Sequence, residues 1–264
     1  MWKWEADDPK GVFVLVHGSG EHHGRYEWLI EKWRANGFHV VMGDLPGHGE
    51  TRRARGHIDS FDEYIEAISQ WVDEAETYGL PVFLFGHSLG GLAVIRTLTE
   101  KELPLQAVIL SSPCLGLVHP PPKPLKAFAR ATNVVAPRWR VQIKRPGGNP
   151  IATRNPDRLK QDDGDPLIVT KVSIRWYNEL EKAMKIASET TDEMPDIPLL
   201  ALQAGDDKIV DQALTTRWFN RLPVKDRTYK EWKGLYHELF NEPEREEVFR
   251  YALGFVDLHL PESQ

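Results

Sequence analysis

Residues 82–91 read VFLFGHSLGG, an apolar stretch running straight into Gly86-His87-Ser88-Leu89-Gly90-Gly91 and then into a helical pattern. This strand, turn and helix setting is what a nucleophile elbow requires, because small residues on both sides of the serine permit a turn sharp enough to expose its hydroxyl. Gly86 and Gly90 supply them, and the amide of Leu89 opens the following helix, where it can point at a forming oxyanion. A serine hydroxyl is a weak nucleophile at neutral pH, so Ser88 needs a histidine base and a carboxylate to orient that base. Around such elbows the partners follow in the chain order Ser, Asp, His.

Downstream, the predicted strand PLLALQAG leads into Asp206-Asp207-Lys208-Ile209-Val210, at the carboxyl end where parallel sheets place functional groups. A further strand predicted over 228–232 leads into Gly234-Leu235-Tyr236-His237-Glu238. His237 is the expected base; His119 and His259 follow Ser88 as well, but neither ends a predicted strand. Asp206 and Asp207 are adjacent and both can reach a histidine, whereas Asp211 reads as the cap of a helix beginning at Gln212. Asp44, ending an earlier strand, is a weaker substitute. A second oxyanion donor is expected from His17-Gly18-Ser19-Gly20-Glu21-His22-His23, with the Ser19 amide best placed. Three histidines there raise a metal alternative, yet no ligand signature with matching carboxylate spacing accompanies them, and no metal or organic cofactor is expected.

The elements that must position these residues alternate. Strands are predicted at 12–17, 39–44, 81–86, 107–111, 198–203 and 228–232, with helices at about 26–36, 61–77, 89–101, 212–221 and 244–258. That alternation predicts an α/β fold around a mostly parallel sheet flanked by helices. WKWE at the start is a possible extra edge strand, too short to judge by periodicity. From Pro113 to Pro195 the alternation breaks, too long for a crossover, so 113–195 is expected to be a helical cap inserted in a single domain spanning 1–264. Helical faces are expected at Leu125, Phe128 and Ala129, and over 168–187 at Val172, Trp176, Leu180, Ala183, Met184 and Ala187.

Hydrophobic residues make up 41% of the 264, enough for a core. No apolar run approaches the roughly 18 residues of a membrane span. A lone cysteine, Cys114, and the absence of a basic-then-apolar start make the cytoplasm the default compartment. The net charge of −6 offers no global attraction to nucleic acid. The charge is uneven, however. Between Cys114 and Pro156 there is no acidic residue, while Lys123, Lys126, Arg130, Arg138, Arg140, Lys144, Arg145 and Arg154 interleave with apolar residues such as Phe128, Trp139 and Ile143. Such a surface suits peripheral contact with anionic membrane; the plainer alternative pairs these charges with acidic segments at 157–165 or 189–196.

HGSGEHHGRY (17–26), GDLPGHGETRRARGHIDSFDEY (43–64), GHSLGG, DPL (165–167), GDDKIVD (205–211) and YHELFNE (236–242) together resemble the α/β hydrolases of the lysophospholipase and monoacylglycerol-lipase branch. MWKWEA at the start looks like phospholipase members of that branch from bacilli. The resemblance implies a triad of Ser88, Asp207 and His237, oxyanion amides at Ser19 and Leu89, and a cap over an acyl-chain tunnel. It implies a serine carboxylic-ester hydrolase releasing fatty acid from a lysophospholipid or monoacylglycerol through an acyl-enzyme. The alternatives are a peptidase or thioesterase of the same fold, or a non-catalytic ligand-binding module on a hydrolase scaffold. The sequence leaves oligomeric state open.

Overall fold

The computed structural model describes residues 1–142 and 152–261. In chain order its elements are β1 (Trp2–Trp4), β2 (Gly11–Val16), α1 (Glu27–Ala35), β3 (Phe38–Met42), α2 (Asp62–Glu76), β4 (Val82–His87), α3 (Leu89–Glu100) and β5 (Ala107–Ser111). There follow α4 (Lys123–Val135), β6 (Arg140–Gln142), α5 (Pro156–Asp162), β7 (Lys171–Ser173) and α6 (Ile174–Glu189). β8 (Leu199–Ala204), α7 (Gln212–Arg221), β9 (Arg227–Trp232) and α8 (Arg245–Leu258) complete the chain. Seven strands form one sheet in the order β1-β3-β2-β4-β5-β8-β9, all parallel except β1, which pairs antiparallel with β3. WKW is therefore an edge strand, and the α/β architecture expected from the alternation is the one observed.

β2, β4, β5 and β8 are buried along their whole length, because helices cover both faces of the sheet. Alternation along each strand divides the core. Val12, Val14 and Val16 pack with Tyr64, Ile65 and Ile68 of α2 and with α3, whereas Phe13 and Leu15 pack with Trp33 of α1 and Phe249 of α8 on the opposite face. The Phe13 and Trp33 rings stack at 3.8 Å.

The segment between β5 and β8 departs from its sequence pattern in two respects. The helix expected over 168–187 begins only at Ile174, because the Ser173 side chain accepts the Trp176 amide and caps it there. Val172 instead belongs to β7, paired with Val141 of β6; its burial is met from a strand rather than from a helix face. In α4 only Ala129 and Thr132 are buried, while Leu125 and Phe128 are 53% and 56% exposed. Ile143, Lys144 and Arg145 lie outside the described residues. The segment is fastened to the sheet domain by backbone bonds, Val169 N to Gly20 O at 3.0 Å and Ser173 N to Gly56 O at 2.8 Å, and by the Trp176 indole donating to the Tyr64 hydroxyl at 2.7 Å.

α3 sits so close to β2 that a side chain at Gly90 would run into the carbonyl oxygens of Val16 and His17. Gly90→Ala is therefore expected to cost about 1–3 kcal/mol of unfolding free energy, read as a lower urea midpoint at unchanged slope.

Candidate active site

At the carboxyl ends of the parallel strands, Ser88 lies between β4 and α3 with φ 52° and ψ −116°. Three backbone bonds hold it there: Ser88 N donates to Ser111 O at 2.9 Å, and Ser88 O accepts from Leu92 N at 3.0 Å and Cys114 N at 2.9 Å. Gly86 and Gly90 pack backbone to backbone across the turn, where a Cβ on Gly86 would meet Gly90 O at 2.7 Å. The amide of Leu89 is the first of α3, among the N–H groups that have no partner within a helix.

The structure distinguishes the carboxylates. Asp207 Oδ2 lies 2.7 Å from Nδ1 of His237, and the Asp207 side chain is completely buried. Its other oxygen accepts the amides of Ile209 and Val210, each at 2.9 Å. Asp206 is exposed beside it. Asp211 caps α7 by accepting the Ala213 amide. Asp44 is occupied by His23 and by the amide of Glu50. Asp207 is therefore the carboxylate that the fold brings to His237.

Burial disfavours the His237 imidazolium, but Asp207, followed by Glu238 and Glu21, outweighs it and raises His237 above its ordinary value. Burial likewise opposes the Asp207 carboxylate, and His237 together with the two amides holds it below the usual range. The His87 ring lies 4.8 Å from that of His237, and burial lowers its pKa. An imidazole fixed by a buried carboxylate can take a proton from a serine hydroxyl brought within its reach and hold the resulting charge.

The loop opposite the elbow is fixed from both ends. Leu45 N donates to His17 Nε2 at 2.9 Å, so the ring proton sits on Nδ1, which donates to Gly18 O at 2.7 Å. Gly18 N donates to Glu21 Oε2 at 2.9 Å. Within a trans peptide the C=O and N–H point in opposite directions, so the hold on Gly18 O also sets the direction of the Ser19 N–H. A Cβ on Gly18 would approach Ser88 Cβ at 3.3 Å, which places this loop directly over the elbow. Neither this hold by His17 nor that by Glu21 shows in the sequence beyond the His-Gly and Gly-Glu adjacency. His22 pairs with Asp165 and His23 with Asp44, and among the described residues no three His, Cys, Asp or Glu side chains converge on a metal-sized site. Cys114 is buried, its thiol pushed up to about 12 by burial and then by Asp207.

A family model described as serine aminopeptidase, S33 matches residues 7–244. The chain belongs to this family of α/β hydrolases. This hydrolase is 51% identical over 263 residues to phospholipase YtpA of Bacillus subtilis (strain 168), across 98% of this chain and 100% of that protein. It is 30% identical over 252 residues to monoglyceride lipase of Homo sapiens, across 91% of this chain and 79% of the human one. The crystal structure of Paleococcus ferrophilus monoacylglycerol lipase superposes with a TM-score of 0.86 at 35% identity, covering 98% of each chain. The likeness carried by the HGSGEH, GHSLGG and YHE stretches is thus borne out over nearly the whole hydrolase, and with it the fold and the enzyme class.

His237 is expected to titrate above 6.5 in a proton NMR titration of the ring. In Asp207→Asn the largest opposing charge is gone while burial remains, so the midpoint should fall below that of the wild type.

Proposed function

We propose that this protein releases fatty acid from a lysophospholipid or monoacylglycerol through a covalent acyl-enzyme, with Ser88 as nucleophile, His237 as base and Asp207 as its orienting acid. The observation that carries the roles is the buried 2.7 Å contact between Asp207 and His237 beside the elbow. Ser88 Oγ attacks the ester carbonyl while His237 takes its proton, and Asp207 stabilises the imidazolium. The Ser19 and Leu89 amides receive the oxyanion, each contributing about 3 kcal/mol to the transition state. His237 then protonates the leaving glycerol oxygen, and a water activated by the same base frees the acid. The cycle uses no metal or organic cofactor.

The segment 113–195 acts as a cap. Beside Leu115, Leu117, Met184 and Leu214 lies a cavity of about 370 Å³ with Lys126 and Glu181 on its wall, in the size range of small-ligand sites. Kinship with a phospholipase and with monoglyceride lipases supports a lipid ester over a peptide. Fatty-acid release should be measured from a lysophospholipid and a monoacylglycerol bearing the same acyl chain. Cleavage of at least one, abolished in Ser88→Ala, is the expected result. Failure on both, or a variant equal to wild type, returns the choice to a peptidase, a thioesterase or a binding module.

The cap also supports peripheral docking on anionic membrane from the cytoplasmic side. No helix among the described residues is long and apolar enough to cross a bilayer. Val134, Val135 and Trp139 are 82%, 83% and 57% exposed, next to the exposed Leu125 and Phe128. Arg154 turns inward to Glu242 and Glu244, and Lys126 and Arg130 share Glu181, so among the described residues these three basic side chains pair outside the acidic segments at 157–165 and 189–196. Among the described residues Lys123, Arg138 and Arg140 form no ion pair. The protein should cosediment with anionic vesicles more than with neutral ones, less so as salt rises, and more weakly after Phe128→Ser or Trp139→Ser. Binding that ignores lipid charge and salt would remove this part of the reading.

A further inference from the structure

Behind His237 the fold buries a cation with three carboxylates around it. The Arg25 side chain is 3% exposed and pairs with Glu21, Asp162 and Glu238. Each carboxylate comes from a different part of the fold. Glu21 lies in the loop that fixes the Ser19 amide, where its Oε2 also accepts the Gly18 amide and the Tyr26 hydroxyl. Glu238 follows His237 directly and meets Arg25 Nη2 at 3.0 Å, while its own amide donates to Ala152 O at 2.8 Å. Asp162 ends α5, within the inserted segment, and takes both arms of the fork, Nε at 2.9 Å and Nη2 at 2.7 Å.

Burial opposes the Arg25 charge, but Glu238, Glu21 and Asp162 more than offset it, so the guanidinium stays charged. Its donors lie in one rigid plane, so they cannot be redirected singly. When Asp162 holds both arms, the direction toward Glu21 and Glu238 is set; if α5 withdraws, the plane is free to turn and both carboxylates lose their anchor. Glu21, whose other oxygen accepts the Gly18 amide, and Glu238, next to His237, would then be held less firmly.

We propose that Arg25 is a positioning residue that completes the oxyanion loop and aligns His237 only when α5 of the inserted segment is seated. The coupling rests on the roles given above to Ser88, His237 and Ser19. It makes turnover, not only substrate capture, depend on cap placement.

The test uses a small water-soluble aryl acetate, whose acyl group is too short to need an apolar tunnel, with Asp162→Asn, Glu21→Gln and Arg25→Lys in the full chain. Asp162→Asn is nearly isosteric and lies away from the reacting atoms. It should lower kcat by about tenfold, with KM within about twofold of wild type, as expected of lost alignment rather than lost binding. Glu21→Gln and Arg25→Lys should lose at least as much. The Asp162→Asn/Glu21→Gln double variant should lose less than the product of the single losses, because the two carboxylates act through one guanidinium. The coupling is read from the kcat loss and from the non-additivity; the pH profile reports the direct charge of Glu21 on His237. The charged and titratable groups around His237 are Asp207, Glu238, Glu21, Arg25 and His87. Glu21→Gln removes one anion and leaves the Arg25 charge, so the acid limb of kcat/KM should move to lower pH.

Wild-type kcat on the acetate in folded Asp162→Asn and Glu21→Gln overturns the coupling. So does a defect confined to KM for long-chain lipid, which would make α5 only a wall of the lipid site. Failure of the hydrolase assignment itself reads differently: wild type would neither take up a fluorophosphonate at Ser88 nor cleave the acetate, and the coupling would fall with it.

Discussion

Ser88 holds a backbone conformation of φ 52° and ψ −116° that side-chain-bearing residues rarely adopt, a strain of order 1–3 kcal/mol. It persists because its own amide and carbonyl are committed to Ser111, Leu92 and Cys114, and because Gly86 and Gly90 let β2, β4 and α3 close on the turn without a side chain between them. β2, β4 and β5 run parallel beneath it. Relaxing the serine would require shifting the centre of the sheet, which is packed on both faces by buried Phe, Val and Leu. The core thus supplies the rigidity against which a reactive geometry can be held.

Around that point the buried charges are arranged so that none stands alone. Asp207 faces His237 and two amides; Glu21 faces Arg25, Tyr26 and the Gly18 amide; Arg25 faces three carboxylates. Removing one partner of such a group leaves the other desolvated and uncompensated, which is far more costly than the pair's own net contribution. Buried polar networks of this kind hold their members in one arrangement, and here the members sit on the loops that a serine hydrolase must align.

The inserted segment has two unlike surfaces. Toward the sheet domain it is tied down by backbone bonds at Gly20 and Gly56 and by buried Trp176, Leu180 and Ala187. Away from it, α4 presents large apolar residues to solvent beside basic ones, the reverse of an ordinary amphipathic surface helix.

Much of this was legible in the residues. Strand and helix order followed from apolar runs alternating with helical periodicity, and the elbow from glycines flanking a serine between two such elements, because these are local constraints that spacing records. His237 followed from chain order. The choice of Asp207 over Asp206 needed either the family likeness or the fold, since adjacent residues on a loop point in different directions only once the loop is packed. The boundary at Ser173 was hidden because Val172 fits a helical spacing as well as a strand facing inward. Least legible was the Arg25 cluster: its partners lie 4, 137 and 213 residues away, and only the first of these is a spacing that sequence can display. Residue order was enough to place the main strands and helices and to single out Ser88 and His237, whereas the full set of carboxylates around them emerged only in the folded chain, because desolvation and long-range contact exist only after the chain has closed on itself.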